Sequence, residues 1–132
     1  TLVAVLLTAQ GIFRSYRIRR AMLADVIAQL EDDILSYEWL HAMARYNFPG
    51  GAPDEHCELI SQTVRTLIQQ NAIVIGTPAS GATIHPWEGS KEELCVRLDE
   101  LNIRIGVPEN SQEWFCFWIG LPSAAEQSRG AL

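Results

Sequence analysis

Positive charge is scarce in this sequence and unevenly placed. Of 132 residues only ten are Lys or Arg, against sixteen Asp or Glu, for a formal net charge of −6. Four of the ten, Arg14, Arg17, Arg19 and Arg20, crowd into residues 1–21, where there is no acid at all. The rest of the chain keeps six basic residues against sixteen acidic ones. Such a body repels a phosphate backbone, because nucleic-acid affinity rests on Lys and Arg displacing condensed counterions. Its natural partners are basic proteins.

Cysteine is also sparse. Cys57, Cys95 and Cys116 are odd in number, far apart and set in apolar stretches, which argues for reduced core thiols in a cytoplasmic protein and against a disulfide framework. His41, His56 and His85 are isolated, and His56 beside Cys57 lacks the ligand spacing zinc uses, so no metal and no cofactor are expected. No apolar run reaches the roughly 20 residues a membrane span needs. The longest, TLVAVLLTAQGIF, precedes its positive cluster, the reverse of a secretory signal. Residues 1–21 are therefore expected to be a basic extension, an added helix or strand packed on the domain, with no stable membrane insertion.

Catalytic constellations are missing as well. No nucleophile stands with a base, and FPGGAP (48–53) is glycine-rich without the lysine and hydroxyl of a phosphate-binding loop. Glu31, Asp32 and Asp33 are adjacent and point in different directions if helical, which suits a solvated patch better than paired acid and base. No enzyme activity is expected.

What is present is helical and extended periodicity. Met22, Leu23, Val26, Ile27 and Leu30 recur at spacings of three and four, an amphipathic helix over 18–30. Asp33 can cap a second helix over 34–46 with Leu35, Trp39, Leu40 and Met43 inward. Pro53, Asp54 and Glu55 open a third, reaching Asn71, with Leu59, Ile60, Val64, Leu67 and Ile68 as its buried stripe. AIVIG, a turn at PASGA and ATIHPW form a β-hairpin. Ser90 and Glu93 make a capping box for a fourth helix carrying Leu94, Leu98 and Leu101 and ending near Arg104. A turn at Gly106–Pro108 and a strand within EWFCFWIGLP complete a single domain over 22–122, leaving 123–132 as a frayed tail. The expected fold class is α+β: three helices, a hairpin, a helix and a final strand, winged-helix-like with a small antiparallel sheet.

A winged-helix outline invites a DNA-binding reading. However, the third helix offers only Arg65 against Asp54, Glu55 and Glu58, and the turn of the hairpin has no cation. Trp87 reads as a core anchor at the end of the second hairpin arm. Glu88, Glu92 and Glu93 lie beside it in exposed positions, and with Glu31, Asp32 and Asp33 they are the candidate surface for a basic partner. The competing reading is an acidic surface that only confers solubility.

The succession of Glu31–Asp32–Asp33, Phe48–Pro49 with Pro53–Asp54–Glu55, a long helix running into a strand (Leu67 to Gly76), Pro86–Trp87 with Gly89–Ser90 and Glu92–Glu93, and a final Trp114–Phe115 resembles small bacterial immunity proteins of polymorphic and contact-dependent growth-inhibition toxin systems. The likeness covers roughly Met22 to Pro122. The chain departs from it at Asn71, where glycine is common, and in its arginine-rich first residues. The resemblance implies a protein that neutralises a cognate toxin domain by forming a stoichiometric complex. Many such toxins are nucleases with basic clefts, which suits the acidic body. The alternative reading is a winged-helix regulator or adaptor acting through protein contacts.

Overall fold

The first helix is far longer than its apolar stripe. In the computed structural model, which describes residues 2–105 and 117–126, α1 (Leu2–Leu30) runs 29 residues without a break through position 21. Its buried face is Met22, Val26 and Leu30, with Ile18 and Leu23 packed at the margin. The amino-terminal segment is thus helical, as one of the two expectations had it. Side chains from Leu2 to Phe13 for which burial is assigned are exposed, while Arg14 lies over Phe48 and Ile18 packs against the core.

The acidic step ends α1, but the next segment differs from the sequence expectation. Leu35–Ser36 is a short strand, β1, and α2 (Tyr37–Asn47) begins three residues later than expected, with Ser36 as its cap. The Ser36 hydroxyl accepts from the Trp39 amide at 3.1 Å, while the Asp33 carboxylate accepts from the adjacent Ile34 amide at 2.8 Å. Leu35, Leu40 and Met43 are buried as expected, whereas Trp39, expected inside, is 50% exposed and Tyr37 and His41 share the buried face.

The third helix, α3 (Pro53–Gln69), has Pro53 in its first turn and buries the expected stripe of Leu59, Ile60, Val64, Leu67 and Ile68. It stops short of Asn71, which takes a left-handed φ of 56°. That conformation is the usual reason for glycine just past a helix end, and asparagine is the next best residue there. The hairpin comes next as β2 (Val74–Ala79) and β3 (Thr83–Pro86). The capping box forms as read: Ser90 N donates to the Glu93 carboxylate and Glu93 N to the Ser90 hydroxyl, both at 3.2 Å. It opens α4 (Lys91–Ile105). The last strand is β4 (Trp118–Gly120). The Gly106–Pro108 turn, Trp114, Phe115 and Cys116 lie outside the described residues.

The class is α+β: among the described residues there are four α-helices and a four-stranded antiparallel sheet in the order β1-β4-β2-β3. Leu35, Ile119 and Ile75 align across three strands and all three join the helix side chains in one core. The opposite face is crossed by a 3-10 turn, Pro122–Ala124. From there the Glu126 amide donates to the Ile84 carbonyl at 2.7 Å, so residues 123–126, expected in the tail, are tied to β3. Residues 127–132 lie outside the described residues.

Candidate partner-binding surface

The register decides where the acidic residues go. Ser36, Trp118, Gly76 and Pro86 form one row across the sheet. One step toward the end of β3, the Trp87 amide extends the ladder to the Ile75 carbonyl at 2.9 Å. Continuing that register one residue beyond the paired strands sets Glu88, and Ile34 at the far edge, level with the Val74–Gly120 pair. Glu31–Asp33 and Glu88 therefore stand at the same end of the sheet, on opposite edges. Three strand spacings separate them, about 14 Å.

The amino terminus of α4 joins this end. Lys91 Nζ donates to the Gln69 carbonyl at the carboxyl end of α3, at 3.1 Å, and Glu92 lines the cleft between α3 and α4 with Gln69 and Lys91. Glu31, Asp32, Asp33, Glu88, Glu92 and Glu93 are all exposed, and Lys91, Arg65 and Arg97 line clefts with Glu92 or Glu93. Between the two acidic groups lie Ala72 and Leu121, both partly buried against the core. Glu93 differs from the other five, because its carboxylate closes the capping box and is less free to meet a partner. Trp87 is the core anchor the sequence suggested: it is buried, stands edge-on to Phe117 at 5.9 Å between ring centroids, and carries the Arg97 guanidinium over its face at 4.0 Å.

The arginines occupy different ground. Arg14 lies over the Phe48 ring at 5.9 Å, and Arg19 and Arg20 with Arg65 of α3 line a cleft of about 350 Å³ between α1 and α3. Arg65 is itself paired with Asp99. Four of the ten basic residues thus lie on α1, away from Glu31–Asp33 at its carboxyl end, while Asp54, Glu55 and Glu58 of α3 share a cleft with Arg19.

Sequence reasoning singled out none of the residues that tie the helices together beneath this surface. Asn102 on α4 is 3% exposed and accepts from the Tyr37 hydroxyl of α2. Its amide donates to the Cys57 carbonyl at 2.6 Å and the Ser61 hydroxyl at 2.8 Å, both on α3. Ser61 in turn donates to Asp99 at 3.0 Å. The signal was an asparagine on the apolar stripe of a helix, one position after Leu101. Burial pushes the Cys57 thiol up, with Tyr37 lowering and Asp54 raising it to lesser degrees, so the sulfur stays protonated and a poor nucleophile. Cys57 and Cys95 are both free thiols. Among the described residues no three His, Cys, Asp or Glu side chains gather as metal ligands would, and no helix is long and apolar enough to cross a membrane.

His41 packs edge-on against Tyr37 at 4.6 Å. Burial, reinforced by Arg45 and then His56, lowers its pKa from 6.5 to about 4. The fold therefore prefers the neutral ring, and the unfolded chain takes up the extra proton first. The stability this adds is complete above the unfolded value of 6.5, falls as the pH drops toward 4, and levels off below that. The loss is on the order of 2 kcal/mol. Urea titrations at neutral pH and at pH 4 should show it as the difference between wild type and His41→Gln. Identical pH profiles would remove His41 as its source.

No family model, curated protein or solved structure matches this chain.

Proposed function

We propose that this chain is an immunity-type binding protein that neutralises a basic toxin domain, of nuclease type, by forming a stoichiometric complex through its acidic sheet end. The observation that carries this reading is the convergence of two acidic segments, more than fifty positions apart in sequence, at one end of a four-stranded sheet. Five of the six carboxylates there have no capping role that would hold them against the backbone amides, apart from the Asp33 contact to Ile34. A cluster of this kind raises association rates with a cationic surface and disfavours polyanions. The partly buried Leu121 and Ala72 between the two groups supply the apolar centre that a carboxylate-rimmed interface needs. Inhibition of this kind requires occupancy and no catalytic residue.

The test is co-purification with the product of the gene directly upstream, followed by association kinetics. Asp33→Lys combined with Glu92→Lys is expected to slow association about tenfold or more at low salt and to flatten the salt dependence of the wild-type rate. Both residues are exposed, so folding should be unaffected. Unchanged association at low salt would remove the acidic end from the interface.

A further inference from the structure

α1 leaves the domain. Leu2, Val3, Val5, Ile12 and Phe13 are between 62 and 75% exposed. At 100° per residue these five side chains spread over about half the circumference of the helix. That is wider than the stripe by which a helix packs on one protein face. No charged residue falls between Leu2 and Phe13. The segment from Leu2 to Phe13 is about 18 Å long, enough to enter one leaflet of a bilayer whose hydrocarbon core is about 30 Å thick.

The next turns of the helix are ordered as at a lipid interface. Phe13 and Tyr16 mark the boundary, and two of the guanidinium groups lie on them: Arg17 over Phe13 at 5.8 Å and Arg20 over Tyr16 at 5.7 Å. Arg14, over the Phe48 ring, and Arg19, in a cleft it shares with Asp54, Glu55 and Glu58 of α3, complete a collar of four cations on α1. Apolar end, aromatic ring and cationic collar in that order match acyl chains, interface and anionic headgroups. The acidic sheet end lies at the other terminus of α1, about 42 Å from Leu2, well beyond the screening length of about 10 Å. Parallel pairing of α1 with a second copy would instead bring like-charged collars together.

We infer that the amino-terminal end of α1 attaches the protein reversibly to the surface of an anionic bilayer. Residues 2–13 enter one leaflet and Arg14, Arg17, Arg19 and Arg20 lie among the headgroups. This leaves the acidic end facing away from the membrane and free for a partner.

Flotation of the full chain with phosphatidylcholine vesicles, with and without phosphatidylglycerol, tests it. The protein is expected to float with the anionic vesicles, less so at high salt, and poorly with phosphatidylcholine alone. Arg17→Glu with Arg20→Glu should weaken binding by about fivefold or more per arginine replaced. Phe13→Asp should weaken it further with no change in thermal unfolding, because the side chain is exposed. Glu92→Lys, which probes the opposite end, should not reduce it. Absence of flotation with anionic vesicles at low salt would overturn the inference. So would self-association in lipid-free solution that Phe13→Asp abolishes, which would make a second copy the occupant.

Discussion

Asn102→Ala is expected to cost about 3–5 kcal/mol, a large part of the 5–15 kcal/mol that holds a typical domain folded. The substitution removes little volume and no apolar packing of note. Its effect comes from what it leaves behind. The Tyr37 hydroxyl loses this acceptor, the Ser61 hydroxyl loses the Asn102 donor, and the Cys57 carbonyl, which lies within α3, loses its bond from Asn102. Each buried polar group left unsatisfied costs about 1–3 kcal/mol. Water entering the space, and the bond Ser61 keeps to Asp99, offset part of that total. Tyr37→Phe removes one donor and leaves the Asn102 amide bonds intact, so it should cost about 1–2 kcal/mol. Urea unfolding of both single variants and the double variant measures the coupling. Because Tyr37 and Asn102 share one bond, the double variant should cost less than the singles added together. A loss below about 1 kcal/mol for Asn102→Ala would mean the network contributes little to stability.

That network shows where sequence reading ended. Helix α3 was legible because its apolar residues are purely periodic and Pro53, Asp54 and Glu55 mark its start. The α4 capping box was legible because Ser90 and Glu93 satisfy each other locally. β1 was not, because Leu35 and Ser36 continue a helical apolar pattern and become a strand only through β4, whose partner residues Ile119 and Trp118 lie more than eighty positions away. The cap moved with it from Asp33 to Ser36, and Trp39 is exposed. The full length of α1 was hidden for the opposite reason: residues 2–13 have no amphipathic stripe, so periodicity gave no helix signal there. The winged-helix outline rested on element order alone. The acidic residues themselves were plain in the sequence, but their meeting at one sheet end was not, since it depends on strand order and register. The buried Asn102 was passed over because a polar residue on an apolar stripe gives no sign of which distant partners satisfy it.

Register therefore links the fold to the proposed surface, and Gly76 is the residue on which it rests most heavily. In its row it lies between Trp118 of β4 and Pro86 of β3. A methyl group at Gly76 would run into the His85 carbonyl oxygen, with the His85 carbonyl carbon at 2.8 Å and the Pro86 α-carbon at 2.9 Å. These are backbone atoms and cannot rotate away, so β3 would have to move as a unit. Gly76→Ala is expected to lower stability by about 3 kcal/mol or more, the upper range for overpacking. Because β3 leads into Glu88 and α4, the protein that remains folded should also bind the basic partner more slowly. Gly81→Ala is the control. Gly81 has a left-handed φ of 70° but nothing within 4 Å of an added methyl, so only the backbone preference opposes it, about 1 kcal/mol. Thermal unfolding of the two variants separates steric contact from conformational preference. If Gly76→Ala were as mild as Gly81→Ala, β3 would be free to shift at little cost, and strand pairing could not be what holds Glu88 level with Ile34.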